Sequence, residues 1–163
     1  MLVNNIIDED IINYKEVSMF IGMPFCSGKC WKELGLDCSI CQNDKLRNSD
    51  LIDVDILALV KRFQDNPLSK AVVFGGLEPL DSAADVYYFI FTMRQLGLNN
   101  KVVIYTGYKE EEKDVQDFIN ILKEHYFTNV IIKVGRYIPN RNSRYDDILG
   151  VTLASDNQYA IEI

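Results

Sequence analysis

Met23-Pro24-Phe25-Cys26-Ser27-Gly28-Lys29-Cys30-Trp31-Lys32-Glu33-Leu34-Gly35-Leu36-Asp37-Cys38-Ser39-Ile40-Cys41-Gln42-Asn43 holds all four cysteines of the chain. The spacing is Cys26-x3-Cys30-x7-Cys38-x2-Cys41. Sulfurs this close in sequence can serve one metal centre, because thiolates are soft ligands that select zinc or iron–sulfur. Spacing alone suits a tetrahedral zinc site and an iron–sulfur cluster equally. Four unpaired cysteines acting as small buried hydrophobes would not be clustered in this way.

Working outward, Val17-Ser18-Met19-Phe20-Ile21-Gly22 reads as a buried strand that delivers the cysteine loop at its carboxyl end. After the loop, Asn48-Ser49-Asp50 is a cap-type cluster, followed by a helical stripe through Ile56, Leu57, Val60 and Phe63. Asn66-Pro67 ends that helix, since the residue before proline is pushed out of the helical region. Further strands are expected at Ala71–Phe74, Lys101–Tyr105 and Asn129–Val134.

Between these strands lie two more apolar stripes. One runs through Val86, Phe89, Ile90, Met93 and Leu96, with Asp81 and Ser82 as caps and Gly97 as the stop. The other runs through Val115, Phe118, Ile119 and Leu122, behind an acidic Glu110–Glu112 that reads as a solvated helix start.

Strands alternating with amphipathic helices predict an α/β fold with a mostly parallel sheet. The chain has 163 residues, too few for an eight-unit barrel of about 250. A partial (β/α) barrel or an open sheet of four or five strands is expected, as a single domain over residues 1–163. The tail, 135–163, reads as loop-rich, with strands at Leu149–Ala154 and Tyr159–Ile163 and with Arg136, Arg141 and Arg144 as exposed surface residues. In either architecture ligands gather at the carboxyl ends of the strands. The cysteine loop (23–43), Gly75–Pro79 and Thr106–Tyr108 each follow a strand and should converge there.

Composition narrows the function classes. A net charge of −7 argues against nucleic acid, whose phosphates call for a basic face. The longest apolar run, Val86–Phe91, is six residues, far below the ~18 that would span a bilayer. The amino-terminal segment lacks the basic-then-apolar pattern of a secretory signal. A cytoplasmic protein with reduced thiols is expected, and clustered cysteines there read as a metal site before they read as disulfides.

Gly75-Gly76-Leu77-Glu78-Pro79 adds a second signal. Two glycines at a strand end let the backbone approach a ligand, and a neighbouring carboxylate can accept hydrogen bonds from an amine. Taken alone, it could equally be an ordinary glycine-rich turn into a helix.

In combination, a strand, Cys26-x3-Cys30, a closing Cys41-Gln42-Asn43 and a Gly-Gly-…-Glu-Pro turn resemble the radical S-adenosylmethionine enzymes. More narrowly, they resemble the activating proteins of anaerobic ribonucleotide reductase. Tyr105-Thr106-Gly107-Tyr108 and Leu153-Ala154-Ser155-Asp156-Asn157-Gln158 are similar to family segments at corresponding places. Two departures stand out: an insertion between Cys30 and Cys41 carries the extra Cys38, and Leu77 is interposed before Glu78.

The resemblance implies a [4Fe-4S] cluster on three thiolates, expected from Cys26, Cys30 and Cys41, with Cys38 nearby and dispensable. The competing set replaces Cys30 by Cys38. It further implies S-adenosyl-L-methionine chelated to the open iron, its ammonium held by Glu78 with Gly75 and Gly76, and Thr106 lining the pocket. The implied activity is formation of a glycyl radical on a partner, the large subunit of anaerobic ribonucleoside-triphosphate reductase. A flavodoxin or ferredoxin would be the electron donor. The alternatives are a radical enzyme acting on a free metabolite and a non-catalytic zinc-binding α/β module. Trp31 reads as a hydrophobic plug of the insertion, with shielding of the cluster as a second role.

Overall fold

The computed structural model describes residues 1–163. Three strands come first: β1 (Leu2–Val3), β2 (Asn5–Asp10) and β3 (Ser18–Gly22). The cysteine loop contains a short helix, α1 (Lys29–Glu33), and is followed by β4 (Ile52–Asp53) and α2 (Ile56–Asp65). Then come β5 (Ala71–Gly75), α3 (Ala83–Gln95), β6 (Lys101–Tyr105), α4 (Lys113–Glu124) and β7 (Val130–Val134). The tail adds β8 (Arg144–Asp146), β9 (Val151–Leu153) and β10 (Tyr159–Glu162).

The main sheet has the order β10-β7-β6-β5-β3-β2. Its four inner strands are parallel in register, with Phe20 beside Val73, Val73 beside Val103 and Val103 beside Ile131. Both edge strands are antiparallel. The fold is therefore α/β with a mostly parallel open sheet, as the alternation of patterns predicts. The buried inner strands need apolar side chains on both faces, which explains their continuous apolar sequences.

Consecutive parallel strands are sheet neighbours throughout, so crossovers of one hand place their helices on one face. Leu59, Val60 and Phe63 of α2, Val86, Phe89 and Met93 of α3, and Phe118 and Leu122 of α4 pack there against Val72, Phe74, Ile104 and Ile132. Phe74 and Phe89 meet edge to face, their ring centroids 5.1 Å apart. The opposite face carries a smaller cluster, in which Phe20, Val73, Val103 and Ile131 meet Tyr14, Leu149 and Leu153. At this face Phe20 and Leu153 also line the cavity that the cysteine loop borders.

Several local expectations shift. The cap of α2 is Asp55, whose side chain accepts the amide of Ala58; residues Asp44–Asn48 form a separate 3-10 turn. Val151–Leu153 pairs with β8 in a small hairpin and does not extend the main sheet. Tyr159–Glu162 does join it, antiparallel to β7. No helix is long and apolar enough to cross a membrane.

Candidate metal centre

β3 delivers the chain to Met23, whose amide donates to the carbonyl of Gly75 at 2.9 Å. From there the cysteine loop is tied to the segment after β5. The amide of Glu78 donates to Phe25 O at 3.0 Å, and the amide of Ser27 donates to Asp81 Oδ2 at 2.5 Å. The Tyr108 hydroxyl also donates to Asp81. Asp81, expected as a helix cap, thus spends both carboxylate oxygens on the cysteine loop and the loop after β6. Ser82 occupies the cap position of α3 without a side-chain bond. Asn43, which closes the Cys41-Gln42-Asn43 motif, donates its side-chain amide to Gly76 O at 2.6 Å. Gly76 has φ +78, a left-handed turn that an L side chain adopts only with strain.

This tethering brings Cys26, Cys30 and Cys41 onto one cavity of about 530 Å³. Gly75, Gly76, Glu78 and Thr106 line the same cavity. Cys38 is not on its wall; its thiol stands 3.9 Å from Asp37 Oδ1 at the loop's outer side. All four cysteines are free thiols. Burial pushes the Cys30 thiol up to about 11, with the Glu78 carboxylate adding to the effect, and burial raises Cys26 as well. The amide of Gly28 donates to Cys26 Sγ at 3.3 Å, a contact that favours a thiolate there. No three Cys, His, Asp or Glu side chains converge tightly enough to hold a single ion.

Beyond the sulfurs, Glu78 is the central polar group. It is 5% exposed, and burial raises its carboxyl from 4.5 to about 7, against the pull of the Thr106 hydroxyl and the amides of Leu80 and Gly107. Oε1 accepts from Leu80 N at 3.0 Å and Oε2 from Gly107 N at 2.8 Å. Thr106 is fully buried, and its Oγ1 accepts the amide of Tyr108 at 2.9 Å. Tyr108 itself is turned away from the cavity, toward Ser27 and Asp81.

Two site residues carry no sequence signal that distinguishes them. Lys133, on β7, is 6% exposed and lines the cavity. Its Nζ donates to Gly135 O at 3.0 Å and Thr106 O at 3.4 Å, and burial lowers its ammonium to about 8 despite the nearby Glu78. Arg136, expected at the surface, is 3% exposed. Its Nε donates to Glu33 Oε2 at 2.6 Å and its Nη1 to Gly107 O at 2.7 Å. Its Nη2 pairs with both Glu33 and Glu112, the latter at 2.8 Å. Glu112 is therefore an ion-pair partner and not merely a solvated helix start. The guanidinium holds the Glu33 carboxyl down at about 2. Trp31 lines the cavity and packs on Gly28, where an added Cβ would meet its ring at 2.5 Å. Both readings of Trp31, plug and shield, are compatible with that position.

The residues present fit a cluster: three free thiols share one cavity, one receives an amide hydrogen bond, and Gly107 leaves room for Cys30. A Cβ at Gly107 would stand 2.5 Å from Cys30 Sγ. Comparison with known families gives the same chemistry. The model of the 4Fe-4S single cluster domain matches residues 26–158, from the first cysteine to the end of the tail motif. Searches of curated proteins and of solved structures returned no match. On the extent of that match, which takes in the four cysteines, β5, β6 and β7 and the helices between them, the chain belongs to the 4Fe-4S single cluster domain family.

Proposed function

We propose that the protein is a radical S-adenosylmethionine activase, with Cys26, Cys30 and Cys41 holding the cluster and Cys38 free of it. One observation carries this reading: those three sulfurs share a cavity with Gly75, Gly76, Glu78 and Thr106, and Cys38 lies outside it. Three protein ligands leave a four-iron cluster one open corner. With that corner free, the bound and reduced cluster would supply the electron that splits S-adenosylmethionine into methionine and a 5′-deoxyadenosyl radical.

The chain's own residues bind and orient. Glu78 offers its carboxylate to the methionine ammonium, and gaining that cation favours its ionised form. Lys133 places a buried positive charge on the same cavity, suited to an anionic group of the ligand. Gly75 and Gly76 keep that wall bare of side chains, so that backbone rather than bulk meets the cofactor. Phe20, Leu77 and Trp31 give the cavity apolar wall.

The target we assign is a glycine on the large subunit of anaerobic ribonucleoside-triphosphate reductase, with a flavodoxin or ferredoxin as reductant. The sequence resemblance supports this target. So does Ile12, which is 75% exposed at the rim of the cavity and offers apolar surface to an entering polypeptide. A reducing cytoplasm suits four free thiols.

The test is anaerobic incubation of the iron-loaded protein with S-adenosylmethionine, a reductant and that subunit. A glycyl-radical signal in electron paramagnetic resonance, with stoichiometric 5′-deoxyadenosine, is expected. Formation of 5′-deoxyadenosine without the partner's radical would move the target to a small metabolite. No cleavage at all would remove the enzyme reading.

A further inference from the structure

The loop after β6 sits between the two halves of the site. The amide of Gly107 donates to Glu78 at 2.8 Å, while its carbonyl accepts from Arg136 at 2.7 Å and stands 3.9 Å from Cys30 Sγ. The single residue Gly107 therefore touches the proposed cofactor carboxylate through its amide and the proposed ligand sulfur through its carbonyl. Arg136 reaches past that unit to Glu33, the last residue of α1, with a two-point contact, and to Glu112 at the start of α4. Lys29, the first residue of α1, pairs with Asp114 at 2.6 Å, so both ends of the helix that carries Cys30 are pinned to the same region. The backbone of Arg136 is itself fixed, its carbonyl accepting from Asn157 Nδ2 at 2.8 Å.

A guanidinium does this because its donors are set in a rigid fork; a lysine in its place keeps the charge but loses the paired geometry. Burial of the guanidinium beneath two carboxylates also makes its position costly to vary.

We propose that Arg136 is a positioning residue: by holding the Gly107 carbonyl and Glu33 together, it sets the separation between Cys30 and Glu78. The functional half of this statement rests on the activase reading above. Loosening the clamp lets Gly107 and α1 drift apart, so the cluster ligand and the ligand-binding carboxylate lose their common reference.

Two variants of the full-length protein test it. Arg136→Lys removes the fork, and Glu33→Gln acts from the partly exposed end of the pair, so that it keeps the fold even if Arg136→Lys does not. In the metal-free protein, we expect hydrogen exchange at the Gly107 amide to accelerate at least tenfold in both variants. Alkylation of Cys30, with the other three cysteines replaced by alanine, should accelerate alongside, while amides of Val103 and Ile132 in the inner strands keep wild-type protection. In the reconstituted protein, KM for S-adenosylmethionine should rise about tenfold with iron content unchanged.

Unchanged Gly107 exchange and Cys30 alkylation in Glu33→Gln would overturn the linkage. Faster exchange with wild-type KM and kcat would reduce Arg136 to a structural residue and overturn its positioning role. A wild-type protein that fails to cleave S-adenosylmethionine would defeat the activase reading instead. Exchange and alkylation would still decide whether Arg136 sets the Cys30–Glu78 geometry.

Discussion

Glu78 accepts the amide of Gly107 at 2.8 Å, joining the turn after β5 to the turn after β6 at the mouth of the parallel sheet. Gly107 in turn has no room for a side chain: an added Cβ would lie 2.5 Å from Cys30 Sγ. Gly107→Ala should therefore displace Cys30 without disturbing the sheet. We expect iron content after anaerobic reconstitution to fall by half or more, with the far-ultraviolet circular dichroism unchanged. Full iron loading in Gly107→Ala would show that Cys30 is not held where the structure places it.

Glu78 should also leave a mark on the pH dependence of the metal-free protein. Its carboxyl is raised from 4.5 to about 7 by burial, so between those values the folded chain keeps a proton that the unfolded chain has lost. Stability then falls as pH rises from about 4.5 to about 7 and levels off above, by roughly 3 kcal/mol at most from this group. Urea titrations across that range should show the decline, and Glu78→Gln should flatten it. An equal slope in the variant would assign the decline to other groups.

Lys133 has the opposite sign. Burial lowers its ammonium from 10.5 to about 8, so between those values the unfolded chain binds the extra proton and stability rises with pH. Lys133→Met should abolish that rise and raise stability at pH 7 by about 1 kcal/mol, the gain being limited by two lost hydrogen bonds. The same variant should weaken S-adenosylmethionine binding, which equilibrium dialysis with the iron-loaded protein would measure. Stability gained with affinity intact would remove Lys133 from the binding site.

Asp81 ties Ser27 of the cysteine loop to Tyr108. Asp81→Ala strands both donors and should cost about 1–3 kcal/mol by urea unfolding. Tyr108→Phe loses one hydroxyl and should cost about 1 kcal/mol. If Asp81→Ala proves neutral, the loop is held well enough by its other bonds, which join Met23, Phe25 and Asn43 to Gly75, Glu78 and Gly76.

The apolar periodicities made most of the fold legible. The helix stripes bury at most of their positions, because a 3.6-residue period leaves Phe63, Phe89 and Phe118 facing the sheet. Leu57 and Leu96, counted in those stripes, are exposed, and Leu59 takes the inward place in α2. The edge strand β2 was not legible: Asn5-Ile6-Ile7-Asp8-Glu9-Asp10 is half solvated and largely polar, so it lacks the run that marks an inner strand. The motif residues at 26, 30, 41, 75, 76, 78 and 106 do meet on one cavity, since the segments that carry them leave the carboxyl ends of β3, β5 and β6, neighbours in the same sheet. Lys133 and Arg136 escaped because a cation in isolation reads as surface, and what buries it lies elsewhere in the chain. Glu33 is 103 positions from Arg136, and no local pattern links them. Asp81 was misread for the same reason, its partner Ser27 being 54 positions away.

The cysteine assignment is most directly tested by anaerobic reconstitution of the four single Cys→Ala variants, measuring iron per chain and 5′-deoxyadenosine formed under reduction. We expect Cys38→Ala to keep wild-type iron and turnover, and Cys26→Ala, Cys30→Ala and Cys41→Ala each to lose both. Loss in Cys38→Ala with retention in Cys30→Ala would contradict the three-sulfur site described here.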